Sequence, residues 1–201
     1  MKEQRCIGLR RRVSCASGQV LLEFALVVPL VLVLALGVIE VGYALLDQHV
    51  VTKLAREGSN LISRDTSLAD AATAMKNMSS RPVDFSTNGS SKGIFSVVKN
   101  VATQGANNYG KAVLYQRHAY GNLSLPGSTL NNSGGAFGSS PEFQAVNSDN
   151  DTRLQITNLP ATMAIGGMLY ITEIYTRHPL ITPFNRFGVQ VPQTLYSIAY
   201  F

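Results

Sequence analysis

The sequence predicts an α+β protein in which one long N-terminal helix, membrane-spanning in its first half, packs on a small antiparallel β-sheet domain. Three observations carry this expectation. Residues 17–46, SGQVLLEFALVVPLVLVLALGVIEVGYALL, are apolar almost throughout. Helical periodicity continues past that run to Ile62. From Val83 onward, short β-rich runs alternate with Gly-, Asn- and Ser-rich stretches, the pattern of strands joined by turns.

At 201 residues the chain holds one domain plus a membrane segment, or two small domains. The formal net charge is +5, and its distribution matters more than its size. Residues 1–18 carry Lys2, Arg5, Arg10, Arg11 and Arg12 against Glu3, a net +4. The remaining 12 basic and 11 acidic side chains nearly cancel. The body shows no clustered basic face with interleaved aromatics, so nucleic acid is not an expected partner. The two cysteines, Cys6 and Cys15, both lie in the basic segment, at a spacing that matches no zinc or redox motif. The body is cysteine-free and long enough to fold on its own core.

A basic segment before an apolar run has three readings. A secretory signal peptide has an apolar core of about 7–15 residues before small residues at the cut. Here Phe24 to Ile39 is uncharged and the apolar character extends on both sides, with Ala35-Leu36-Gly37 only a weak cut site. A plain single-pass anchor fits the ~20 residues a bilayer requires. The preceding arginines would then keep the N-terminus in the cytoplasm and place the body outside. Neither reading explains Glu23, since a carboxylate in hydrocarbon costs about 2.5–3.5 kcal/mol on insertion scales.

The third reading does. Gly18 sits where the charged leader meets the apolar helix, and Glu23 and Phe24 follow in Gly18-Gln19-Val20-Leu21-Leu22-Glu23-Phe24. Pro29 comes next, and Leu54-Ala55-Arg56-Glu57-Gly58 lies beyond the span. Together these residues resemble the TadE-like minor pseudopilins of the tight-adherence (Tad/Flp) pilus system, in the type IV pilin superfamily. The likeness is clear over residues 15–60 and weaker beyond. It implies a pilin-like fold, cleavage between Gly18 and Gln19 by a prepilin peptidase, and an assembly role for Glu23, Phe24 and Pro29. The partners it implies are other Tad pseudopilins and the Flp pilin or assembly platform. It also implies a bacterial inner-membrane location, with the C-terminal domain extracytoplasmic.

The chemistry can be stated without the name. A cut after Gly18 gives Gln19 a free α-amine. Glu23 lies roughly 6–7 Å along the helix from it. A neighbouring subunit's amine paired with this acid removes two isolated charges from lipid at once. The alternative is a Glu near the interface that snorkels or is neutralised. Pro29 deletes one helical hydrogen bond and crowds the preceding turn, which predicts a local kink or melted segment; ordinary tolerance of proline in membrane helices is the other reading. Glu40, near the far end of the run, is expected at the outer membrane boundary beside Tyr43.

From Asp47 onward Val50, Leu54 and Leu61 share a face, beside Val51, Ala55 and Ile62. One helix therefore covers residues 19–63, after a leader of residues 1–18 and before a domain of residues 64–201. Gly58 either allows close approach of a strand or merely loosens the helix. Leu68, Ala71, Ala72, Met75 and Met78 form a second helical pattern, capped by Asp65, Thr66 or Ser67 and ended by Arg81-Pro82. Residues 94–117 read as a hairpin with a long tip. Residues 121–153, rich in Asn, Ser and Gly, read as a long exposed, flexible loop. Met168 to Arg177 alternates as the clearest strand, broken by Pro179 and Pro183. Val189-Gln190-Val191 and Leu195 to Phe201 close the sheet.

No catalytic constellation appears. His49, His118 and His178 are scattered, no Gly-x-Ser-x-Gly elbow is present, and Asp149-Asn150-Asp151 lacks the glycine and final glutamate of a calcium loop. The expectation is a non-enzyme without cofactor: a minor pseudopilin in pilus assembly or initiation. The alternative is an unprocessed, membrane-anchored binding or adhesion module.

Overall fold

The computed structural model describes residues 16–124, 127–182 and 193–201. The basic leader up to Cys15, Pro183 and the expected strand Val189-Gln190-Val191 lie outside the described residues.

The first helix, α1, is Ala16–Ile62, 47 residues in one element. A run this apolar must satisfy its own backbone, and a helix does so without help from solvent. It is helical through Pro29, so no segment is melted there. Proline still removes the N–H that would reach the carbonyl of Ala25. The helix closes through Ser63 N–H on Ser59 O (3.1 Å) and Arg64 N–H on Leu61 O (3.2 Å). Asp65, at φ 57°, turns the chain out in the left-handed region where short polar residues are tolerated.

Leu68–Met78 form α2. Ser67 caps it, its hydroxyl accepting from Asp70 N–H (3.1 Å) while donating to the Asp70 carboxylate (2.7 Å). Leu68, Ala71, Ala72 and Met75 are buried as their spacing predicts. Met78 is exposed instead, because the helix ends there and Ser79 is already extended.

Four strands follow: β1 (Ser91–Asn100), β2 (Ala112–Gly121), β3 (Met168–Arg177) and β4 (Thr194–Tyr200). All pair antiparallel in the order β2-β1-β3-β4. The 94–117 hairpin is present as β1 and β2, with a register shift between Val97 and Val98. Ile94 stands opposite both Ala119 and Glu173, and Glu173 opposite Ile198.

Both faces of the sheet are covered. On one, Val51, Ala55 and Ile62 of α1 and the buried side of α2 meet Phe95, Val97, Ile174 and Ala199. Gly58 allows this close approach: a Cβ there would lie 2.8 Å from the Thr172 methyl and 3.1 Å from the Phe95 ring. On the other face, Val98, Leu114 and Ile171 pack with Leu130, Ala145, Leu154 and Ile156. Residues 122–124 and 127–151 are irregular and mostly exposed, with Leu123, Leu130 and Ala145 buried. That face is apolar, and among the described residues no α-helix covers it, so the loop does. Side-chain amides from outside and inside the loop tie it down. Asn108 Nδ2 donates to Ser148 O (2.9 Å) and Asp151 O (3.0 Å), and Asn131 Nδ2 to Thr157 Oγ1 (2.6 Å).

The chain divides into two compact units, Met1–Val41 and Gly42–Phe201. The division falls inside α1, because the stripe from Val51 to Ile62 belongs to the core of the second unit.

Candidate processing and assembly site

The predicted site residues all lie in the first turns of α1. A Cβ at Gly18 would have nothing within 4 Å, so the Gly18–Gln19 bond is sterically uncovered. Gln19 Nε2 donates to Glu23 Oε1 at 3.1 Å, an exposed contact between successive turns. The two residues of the expected pairing chemistry are therefore neighbours on one helix face. Phe24 is 66% exposed, and Pro29 is exposed on the same element.

Almost every apolar side chain from Val20 to Leu36 is likewise exposed. The most apolar 18-residue window of this helix has a mean hydropathy of 2.8, and 6% of it is buried. Such a surface is stable in lipid or against partner helices, and not in water. The helix is long and apolar enough to cross a bilayer. Glu40 departs from its neighbours: it is 3% exposed, against 59% for Val41.

Residues 18–60 match the model of the TadE-like protein family. Over these residues the chain is similar to TadE-like proteins. The match covers the same segment that holds Gly18, Gln19, Glu23, Phe24 and Pro29, and ends just past Gly58. No curated protein and no solved structure matches the chain.

The body, beyond the matched segment, carries polar clusters that sequence reasoning did not find. Glu173 is fully buried in the middle of β3. Its carboxylate accepts from Thr129 N–H (2.8 Å), Thr129 Oγ1 (2.7 Å), Tyr196 OH (3.2 Å) and the Ser128 hydroxyl. Arg117, two strands away on the same face, donates to Asn132 Oδ1 (2.8 Å) and Ser96 Oγ (3.3 Å). Burial pulls the Arg117 guanidinium below its ordinary value, and the nearby Glu173 charge opposes that pull. The signal was available: Glu173 is the only acid in the clearest strand, flanked on its face by Ile171 and Tyr175. Its partners were not, because they come from the loop.

His178 is buried, its Nδ1 2.6 Å from Asp47 Oδ2 of α1. Asp149 and Asp151, the half-loop weighed as a calcium site, serve the fold. Asp149 takes Thr103 Oγ1 (2.7 Å) and Lys99 Nζ (3.0 Å), which hold its carboxyl below the usual range. Asp151 takes Arg153 (2.9 Å). Among the described residues no group of three or more His, Cys, Asp or Glu is placed to hold a metal.

Proposed function

We propose that this chain is a minor pseudopilin: an inner-membrane protein, cut after Gly18 by a prepilin peptidase, that takes part in assembling or initiating a tight-adherence pilus. The observation that carries this reading is the match over residues 18–60, which contains the Gly18–Glu23–Phe24 spacing. The exposed apolar half of α1 supports it, since that surface calls for lipid and then for other helices. In this reading the α-amine created at Gln19 replaces the Gln19 side-chain amide as the partner of Glu23, contributed by the next subunit. Docking is thereby coupled to processing.

The test is the mature N-terminus, by intact mass. The expected first residue is Gln19, with Gly18→Ala left at full length. Glu23→Ala should be processed normally and give at least ten-fold less assembled pilus. Normal assembly by that variant would exclude the pairing mechanism. A Met1 start would favour the anchored binding module, and a start near Val38 a signal peptide.

A further inference from the structure

A cleft of about 870 Å³ opens in the body beside Tyr43 and Asp47 of α1. Tyr43, Asp47, Arg81, Arg177, His178 and Ile181 line it. Two hydrogen bonds build it. Thr176 Oγ1 donates to Pro82 O (3.0 Å), and Arg177 N–H donates to Ser90 O (3.1 Å). They lay the Arg81-Pro82 turn across the end of β3, so both arginines reach the same opening. Both are exposed, and neither guanidinium makes a hydrogen bond or ion pair with a described residue. The acids nearby are already engaged. Asp47 holds His178 at 2.6 Å, and Asp84 accepts from Ser86 N–H at 2.8 Å.

The place of the cleft along the chain is the second observation. Asp47 immediately follows Leu46, the last residue of the apolar run, and its bond to His178 fixes the cleft to that point. Tyr43 and Ile181 on its rim are 51% and 57% exposed. An amphipathic aromatic and an aliphatic beside two uncommitted arginines is the composition of a headgroup-level contact. Arginine's planar fork matches phosphate oxygens.

We propose that this cleft binds the phosphodiester of an anionic phospholipid in the membrane that α1 enters, with Arg81 and Arg177 on the phosphate and Tyr43 and Ile181 in the interfacial layer. The inference rests on the membrane reading of α1 given above. It assigns the domain a lipid contact on the membrane surface before any transfer into a pilus. Each arginine near an anionic surface is worth about five-fold in association.

The test uses the full chain in nanodiscs of phosphatidylcholine alone and of phosphatidylcholine with 30% phosphatidylglycerol. Hydrogen exchange is read at residues 81–84 and 177–180, and protease protection of residues 20–46 reports insertion. The expected result is exchange about five-fold slower in the phosphatidylglycerol discs. Arg81→Gln/Arg177→Gln, both surface changes, should abolish the difference. Glycerol 3-phosphate added to the phosphatidylcholine discs should not reproduce it. Equal exchange in both discs with α1 inserted, persistence in the double variant, or an equal effect of soluble glycerol 3-phosphate overturns this proposal and leaves the membrane reading standing. A chain whose residues 20–46 stay unprotected overturns both.

Discussion

At the scale of single residues, the body depends on a few positions where size or charge leaves no choice. Gly58 is one. Alanine there gains about 1 kcal/mol of helix propensity, but its methyl meets Thr172 and Phe95, both buried and held in place. Overpacking of this kind costs about 1–3 kcal/mol. Gly58→Ala should therefore lower stability by about 1 kcal/mol net, read as a lower urea midpoint with unchanged slope. Glu173 is another. Glu173→Ala leaves the Thr129 N–H and the Thr129, Ser128 and Tyr196 hydroxyls without their acceptor, a loss of about 3–5 kcal/mol at about 1–3 kcal/mol for each donor left unsatisfied. Glu173→Gln keeps one acceptor oxygen and should cost about 1–2 kcal/mol. If the two variants melted alike, the carboxylate would not be what fastens the loop to the sheet.

At the scale of elements, the sheet is buried on both faces, and this sets its response to alkali. Burial raises the Tyr120, Tyr175 and Tyr196 hydroxyls above the ordinary value of 10.0. The folded chain keeps these protons where the unfolded chain has lost them. Stability from this source is full below about pH 10 and falls as pH rises past it. Urea midpoints at about pH 8 and pH 11 should differ, the higher pH being the weaker, and the phenolate absorbance of these three rings should appear only with unfolding. A Tyr120→Phe variant should lose part of this pH dependence, because its ring contacts with Phe85 and Phe95 remain while the buried hydroxyl is gone.

At the scale of the molecule, the unit beginning at Gly42 makes its own prediction. A fragment of residues 42–201 keeps the α1 stripe on the sheet and should be soluble, with helical and sheet circular dichroism. A fragment of residues 64–201 exposes Phe95, Val97 and Ile174 and should be found mostly in the pellet. Equal solubility would mean that Val51, Ala55 and Ile62 are not required as the cover of the sheet.

The sequence alone determined the long helix, the second helix with its cap, the hairpin and the strand Met168–Arg177. Each of these is a local pattern of period or capping. It also determined the Gly18–Glu23–Phe24 segment, because that spacing sits on one helix and needs no distant partner. Tertiary structure decided the rest. Residues 121–153 have a loop's composition, yet an uncovered apolar sheet face draws Leu123, Leu130 and Ala145 into the core. His178 and Asp47 are 131 positions apart, and Glu173 and Thr129 are 44 apart. No period or motif connects such pairs. They meet only because the sheet order and the packing of α1 bring them together, and burial then makes each polar partner obligatory.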